Sequence, residues 1–172
     1  LSAPINIHCD HSDSMGARDL GWIQIYSENA QEIYEHSFLG IKLAEKVLTP
    51  CMVCQDGFIT SHGTQNVEVL DDEMVKKFIG EHKNEHALLN VKKTVTHGPL
   101  QLQDYYFETR SQQIPAMEDA KAEYLKIGKE LSKITGREYP LFDTYHTEDA
   151  DAIVIAINST TGTAKVAVDK LR

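Results

Sequence analysis

The sequence is poor in cysteine, tryptophan and proline, with 3, 1 and 5 of these residues among 172. So small and odd a number of cysteines does not make a disulfide framework, and it agrees with a reducing compartment. No apolar run approaches the roughly 20 residues that a membrane helix needs, and no secretory signal pattern opens the chain. These absences argue against a disulfide scaffold and a membrane-spanning protein, and they predict a cytoplasmic location.

Positive charge is also scarce, since 17 lysines and arginines face 26 aspartates and glutamates, for a formal charge of −9. Binding to nucleic acid or to anionic lipid depends largely on lysine and arginine side chains that neutralise phosphates. The acidic balance therefore argues against both classes of partner. The first residue is leucine and the last helical pattern is unfinished, so we expect a fragment or processed piece of a longer chain.

Strand and helix patterns alternate along the chain. The spacing of Asn29 and Glu32 is that of a capping box, and Gly136 is typical of the residue that follows a helix. The predicted elements are strands at 4–9, 22–26, 48–54 and 67–70 and helices at 30–46, 71–79 and 112–135, with a long irregular connection at 80–104. This alternation indicates a βαβ unit, and hence an α/β fold with a parallel sheet covered by helices.

The last part of the chain predicts the start of a second unit. Residues 136–139 have the character of a hinge, and residues 152–157 form an apolar run typical of a fully buried strand. A polar turn and an amphipathic helix at 164–171 follow. We therefore predict a first domain over residues 1–135, and a hinge with the first βα unit of a second α/β domain over residues 136–172.

Cys51 and Cys54 have the C-x-x-C spacing of thioredoxin-like sites and of half a zinc or iron–sulfur site. They lie within a predicted strand, where positions i and i+3 point to opposite faces, whereas a redox pair needs an exposed thiolate at a helix N-terminus. No second cysteine pair completes a four-ligand site. The pattern favours structural cysteines, and thiol-redox chemistry is the alternative.

The eight histidines contain no H-E-x-x-H array, so surface roles are favoured for most of them. His11 and His62 differ, because each lies in a polar loop beside a strand end, where α/β sheets bind ligands. The turn at 158–163 precedes a helix, so its N–H groups are placed to bind an anion. It lacks the lysine of a P-loop and the glycines of a dinucleotide fingerprint, and a capped turn is the favoured interpretation.

Several segments carry a family resemblance. Residues 10–19 read DHSDSMGARD and are followed at 21–26 by GWIQIY; the further stretches that match in the same order are 52–62, 67–71, 98–99, 104–106, 136–139 and 155–163. Together they resemble the alpha subunit of the pyruvate:ferredoxin oxidoreductases, also called pyruvate synthases, within the 2-oxoacid:ferredoxin oxidoreductase family. The resemblance covers nearly the whole chain.

This resemblance implies a thiamine-diphosphate enzyme. Residues 1–135 would be the C-terminal part of its pyrimidine-binding domain, and residues 136–172 would begin a domain similar to the transketolase C-terminal domain. Such enzymes convert pyruvate and coenzyme A to acetyl-CoA and CO₂, or run the reverse, and exchange electrons with ferredoxin through 4Fe-4S clusters. The resemblance also implies Mg²⁺ with the cofactor, clusters elsewhere in a multi-subunit complex, and partner subunits or domains that complete the site.

The family's activating glutamate and substrate-binding arginine belong to segments upstream of residue 1, so we expect no catalytic residue and no metal ligand in this chain. The residues expected to line or brace the cofactor pocket are Ile7, Asp10, His11, Asp13 and Arg18. Arg18 is expected to pair with Asp10 or Asp13 and hold the loop rigid. Two alternatives are a related oxidoreductase for another 2-oxoacid and a non-catalytic α/β binding or assembly module.

Overall fold

In the computed structural model, which describes residues 4–5, 7–84 and 86–172, strands and helices alternate. The elements in chain order are α1 (Ser12–Gly16), β1 (Ile23–Tyr26), α2 (Ala30–Val47), β2 (Cys51–Cys54), α3 (Asp72–Ile79), α4 (Gln103–Ser111), α5 (Gln113–Thr135) and α6 (Thr160–Leu171). β1 and β2 are parallel, with Ile23 opposite Cys51 and Tyr26 opposite Cys54. The order β1, α2, β2 confirms the predicted βαβ unit and the α/β fold.

Helix α2 begins where the capping-box spacing predicts. Asn29 Oδ1 accepts a hydrogen bond from Glu32 N at 3.0 Å, while the Glu32 carboxylate accepts from Glu28 N at 2.7 Å, one residue before the expected partner. The helix ends at Val47, and the following residue, Leu48, has a left-handed backbone. Gly40 lies close to β2. A Cβ at this position would be only 3.2 Å from Cγ2 of Val53, so a larger residue would crowd the strand.

The hydrophobic core lies between α2, α3 and α5, with β1 beneath them. Its buried members are Ile25, Leu39, Leu43, Phe78, Ile127, Leu131 and Tyr139. Helix α5 confirms the long helix that the sequence predicts, and it ends at Gly136 with a left-handed φ of 73°. Within the described ranges, no helix has the length and apolar content to cross a membrane.

The strands predicted at 4–9 and 67–70 are wrong for the residues that the structure describes, since none of these is in a strand; Asn6 lies outside them. In the second segment, side chains of α2 take the place of a neighbouring strand. Gln31 exchanges hydrogen bonds with the backbone N and O of Glu68 at 2.7 and 3.2 Å, and Tyr34 OH accepts from Leu70 N at 2.9 Å.

The buried strand predicted at 152–157 is also wrong. None of these residues is in a strand of the described part of the chain, and Ile155 is 92% exposed. The following helix, α6, begins four residues earlier than predicted. Helix α4 lies at the end of the predicted irregular connection and contains no buried residue, so its sequence has no amphipathic pattern by which to predict it.

A buried carboxylate connects α2 to the segment after α5. Glu35 is 1% exposed and accepts hydrogen bonds from the Arg137 guanidinium, from Tyr139 OH at 2.8 Å and from Gln31 Nε2 at 2.7 Å. Arg137 also pairs with Glu68 at 2.9 Å. The predicted hinge at 136–139 is therefore fixed to α2 by polar contacts.

Candidate functional site

A cavity of about 480 Å³ lies beyond the carboxyl ends of the two strands. Three segments form its walls: the N-terminal loop, the turn that follows β2, and the start of α6. The residues that line it are Ile7, His8, Cys9 and His11, then 56–59, then Ser159 and Thr160. Parallel α/β sheets bind their ligands in crevices at this edge, so the cavity is the candidate site.

Helix α1 is held against β1 by side-chain hydrogen bonds. Ser14 Oγ lies 2.8 Å from Tyr26 OH, and Gln24 Nε2 donates to Ser14 O at 2.7 Å. Tyr26 also packs its ring against His11, with centroids 5.7 Å apart and the planes nearly perpendicular. The end of β1 thereby fixes the position of His11 at the cavity.

The predicted pocket residues divide into two groups. Ile7 and His11 line the cavity, whereas Asp10, Asp13 and Arg18 do not. Asp10 Oδ1 accepts from Ser12 N at 3.0 Å and from Ser12 Oγ at 2.6 Å, and the side-chain hydrogen bond is the main cause that lowers the pKa of Asp10. Asp13 accepts from Ser14 N at 2.7 Å. These two carboxylates stabilise the short helix beside the cavity.

The expected partner of Arg18 is wrong. Its guanidinium pairs with Asp19 at 3.0 Å, and the two side chains are 70% and 79% exposed. Asp10 and Asp13 already accept hydrogen bonds from α1, whereas Asp19 is the adjacent residue and is free to meet the guanidinium. The turn that carries Asp19 is held instead by Arg110, which donates to Asp19 O at 3.1 Å.

Sequence reasoning missed the role of Asp56. It is 4% exposed, and its carboxylate accepts hydrogen bonds from Ser159 N at 2.8 Å, from Ser159 Oγ, and from Cys9 Sγ at 3.3 Å. The D-G pair at 56–57 indicates a turn but carries no signal of a partner 103 residues away. The carboxylate occupies the Ser159 N–H, whereas the Ser159 side chain makes no capping hydrogen bond to α6.

Asn158 makes a second contact between α6 and the sheet. Its backbone is left-handed, with φ at 57°, and its side chain is 3% exposed. The Nδ2 group donates to Ser27 O at 3.0 Å and to Cys54 O at 2.9 Å. The segment before α6 is therefore attached to the ends of both strands.

His62, the second histidine expected near a ligand, stands behind the wall of the cavity. Its ring stacks on Phe58 with centroids 4.4 Å apart, and Phe58 is the residue that faces the cavity. Phe58 has a left-handed φ of 65°, and its N–H donates to Ser61 Oγ at 2.8 Å. His62 thus supports the wall but is not one of the lining residues.

Cys51 and Cys54 are half-buried and free. Burial raises the pKa of the Cys51 thiol to about 11, with a smaller contribution from Cys54, and burial also raises the pKa of Cys54. A reactive pair needs a thiolate at neutral pH, so the geometry supports the structural interpretation. Among the described residues, no group of three or more His, Cys, Asp or Glu side chains is placed to hold a metal ion.

Residues 1–129, three quarters of the chain, match the family described as pyruvate flavodoxin/ferredoxin oxidoreductase, thiamine diphosphate-binding. The chain belongs to this family. Among its relatives, the pyruvate synthase subunits PorA of Thermotoga maritima and Methanocaldococcus jannaschii are 51% and 41% identical to it over the whole chain. The ketoisovalerate oxidoreductase subunit VorA of Pyrococcus horikoshii is 35% identical over the same length.

Membership of the oxidoreductase family confirms the resemblance of the sequence segments and the thiamine-diphosphate-binding α/β fold. The chain spans 44% of the Thermotoga relative and 45% of the Methanocaldococcus relative. More than half of each relative therefore lies outside the region of similarity.

Proposed function

We propose that this chain forms part of a thiamine-diphosphate-dependent oxidoreductase that converts pyruvate and coenzyme A to acetyl-CoA and CO₂, or the reverse, with ferredoxin as the electron carrier. The observation that carries the proposal is the match of residues 1–129 to the thiamine-diphosphate-binding family. Pyruvate is favoured because the PorA relatives, at 51% and 41% identity, exceed the VorA relative at 35%.

The cavity suits the ring portion of the cofactor better than its diphosphate. Ile7, Phe58 and Ile59 supply an apolar wall, and no lysine or arginine is among the described residues that line the cavity. The Asp56 carboxylate adds negative charge, which repels a diphosphate. In our proposal this chain contributes the pyrimidine side of the site, and the diphosphate with its Mg²⁺ is held by a partner domain or subunit.

The residues of this chain act by binding and orientation. With the cofactor bound, His11 and Ile7 would contact its ring, Asp10 and Asp13 would fix α1 beside the cavity, and Arg18 would lie in the turn that follows. When bound, thiamine diphosphate supplies the carbon that takes up the 2-oxoacid and stabilises the charge left by loss of CO₂. The domain boundary after residue 135 is part of the same proposal, with α6 belonging to the second domain.

Electron transfer is assigned to other parts of the enzyme. A 4Fe-4S cluster takes four cysteine thiolates, whereas this chain has three cysteines, two of them half-buried on one strand. We therefore place the clusters and the ferredoxin contact in other domains or subunits of a cytoplasmic complex, without nucleic acid or membrane as a partner.

A second candidate function is the oxidation of 2-oxoisovalerate. It is favoured by one observation, the similarity of the whole chain to a ketoisovalerate oxidoreductase subunit. The two functions share the cofactor and the reaction type and differ in the size of the 2-oxoacid side chain.

The deciding experiment uses the intact enzyme that carries this chain, purified without oxygen. We expect bound thiamine diphosphate and iron, and coenzyme A-dependent reduction of ferredoxin with a higher kcat/KM for pyruvate than for 2-oxoisovalerate. We also expect His11→Asn to weaken thiamine diphosphate binding about fivefold by loss of an aromatic contact. His146→Asn is the matched control, because His146 accepts a hydrogen bond from Arg172 beyond the C-terminal end of α6, away from the cavity.

Three results would contradict parts of the proposal. A preparation without thiamine diphosphate leaves the non-catalytic α/β module as the better description. A preference for 2-oxoisovalerate would replace pyruvate as the proposed substrate and would leave the proposed reaction type unchanged. Equal cofactor affinity in the two histidine variants removes His11 from the site.

A further inference from the structure

Asp56 joins three segments that lie far apart in the sequence. Its carboxylate accepts hydrogen bonds from the backbone N and Oγ of Ser159 and from Sγ of Cys9. Cys9 belongs to the N-terminal loop, Asp56 to the turn after β2, and Ser159 to the start of α6. All three residues line the cavity, so a single side chain connects its three walls.

Asn158 holds the start of α6 against the ends of the two strands. Its buried amide donates to Ser27 O and Cys54 O, the carbonyl groups at the ends of the two strands. Asparagine meets both demands of the position, because it adopts the left-handed backbone more readily than most residues and its amide carries two N–H donors. With Asn158 fixed, the adjacent Ser159 is held at a set position over the sheet.

The contacts of Asp56 go beyond those of a helix cap. A carboxylate at the N-terminus of the 12-residue α6 is stabilised by the N–H group and by the helix dipole. Oδ2 faces Ser159 while Oδ1 faces Cys9, so the two oxygens of one group span the gap between α6 and the N-terminal loop. An asparagine at this position presents an NH₂ to one of the two donors, so it keeps only one of the two contacts.

We propose that Asp56 is a positioning residue of the cofactor site, whose carboxylate fixes the spacing between the loop that carries Ile7 and His11 and the start of α6. That spacing sets the width of the cavity that receives the cofactor ring. This inference rests on the proposed function, because it assigns the cavity to thiamine diphosphate.

The test compares Asp56→Asn with Asp71→Asn in the intact enzyme. Asp71 is a matched control, since its carboxylate caps α3 by accepting from Glu73 N at 3.0 Å and from Met74 N at 3.3 Å, yet it does not line the cavity. We expect Asp56→Asn to raise the Kd of thiamine diphosphate about tenfold, since it loses a hydrogen bond to a charged group. We expect Asp71→Asn to leave both the Kd and kcat unchanged.

The rate at which iodoacetamide alkylates Cys9, measured by peptide mass spectrometry, tests whether Asp56 holds the N-terminal loop. This measurement does not require the cofactor. Partial burial raises the pKa of the Cys9 thiol, and the hydrogen bond and charge of Asp56 raise it further. Loss of that charge increases the thiolate fraction and releases the loop. We expect Cys9 to react about fivefold faster in Asp56→Asn, and at the wild-type rate in Asp71→Asn.

A Kd and a Cys9 alkylation rate that are equal in the two aspartate variants overturn the inference. Circular dichroism checks that each variant is folded. If Asp56→Asn does not fold, Ser159→Ala removes only the hydroxyl donor to Oδ2 and takes its place in the Kd comparison, where we expect the Kd to rise. A wild-type enzyme that binds no thiamine diphosphate contradicts the proposed function instead, because that result does not depend on either variant.

Discussion

At the scale of single residues, the most consequential polar group outside the cavity is the Glu35 carboxylate. It is 1% exposed, and its donors come from its own helix and from the segment after α5. Breaking a buried ion pair on one side costs far more than the pair contributes, because the remaining charge keeps its desolvation cost. The stability of this contact therefore depends on Arg137.

We expect Arg137→Gln to lower the free energy of unfolding around α2 by about 3 kcal/mol, since it leaves Glu35 buried without its cation. Hydrogen exchange of the α2 amides in the intact protein measures this change. Arg172→Gln is the control, because Arg172 pairs with Asp149 at an exposed site, where solvent screening leaves such pairs little effect on stability. Equal protection of α2 in the two variants would mean that Glu35 finds another partner.

His36 makes the stability of α2 depend on pH. Burial lowers the pKa of His36 to about 4, although the charge of Glu35 acts in the opposite direction, and its Nδ1 lies 2.9 Å from Ser27 Oγ. Between pH 6.5 and about 4 the unfolded chain binds a proton that the folded protein does not, so stability falls as the pH falls through this window.

We expect the protection of α2 amides to decrease by up to about 3 kcal/mol between pH 7 and pH 4 in the wild type, and by less in His36→Gln. Hydrogen exchange at matched pH values compares the two proteins, so the intrinsic exchange rate cancels. The exposed His97→Gln variant should follow the wild type. A parallel decrease in wild type and His36→Gln would assign the pH dependence to other groups.

The residues at the cavity differ in how far the sequence predicts them. His11 follows from its place in a loop beside strand ends, which is a local property, and Ile7 follows from the family resemblance of its segment. Asp56 and Asn158 do not, because their partners lie 47 to 131 residues away and no local pattern records such contacts. The partner of Arg18 was wrong for a related reason, since three nearby aspartates are equally plausible from spacing alone.

At the scale of elements, the helices with a cap and a single apolar face are predicted closely. The cap at Asn29 and the stop at Gly136 both lie where the sequence indicates. Strands are predicted less well, because an apolar run becomes a strand only where a neighbour pairs with it. Residues 67–70 pair with side chains of α2 instead, and residues 152–157 have no strand partner in the described part of the chain.

Gly128 sets how closely α5 approaches the segment that follows it. A Cβ at this position would lie 3.0 Å from Tyr139 O and 3.1 Å from Tyr139 Cβ. We expect Gly128→Ala to displace that backbone and to lower the free energy of unfolding by about 2 kcal/mol, despite the better helix propensity of alanine.

Thermal unfolding of the intact protein measures this effect, with Gly16→Ala as the control. Gly16 is also helical, and a Cβ there meets nothing within 4 Å. A Gly128→Ala variant as stable as Gly16→Ala would show that the Tyr139 segment moves aside without cost.

At the scale of the whole molecule, the α/β class follows from the order of strand and helix patterns, which does not depend on exact boundaries. Apolar surface is harder to predict. Tyr105, Tyr106 and Phe107 on α4 are 54% to 77% exposed, and Ile153 to Ile155 are 66% to 92% exposed. The same residues would be expected in a core from composition alone, so the sequence does not tell a covered apolar surface from an open one.

The contacts of Asp56 also have a consequence for the time at which the cavity forms during synthesis. Asp56 and Ser159 are 103 residues apart. At bacterial and eukaryotic translation rates, about 5 to 20 seconds pass between the emergence of the one and the other from the ribosome. The βαβ unit can pair its strands during that interval. Cys9 can then contact Oδ1 of Asp56, while Oδ2 still lacks its donors from Ser159. The three walls of the cavity are therefore not complete until the start of α6 has left the exit tunnel.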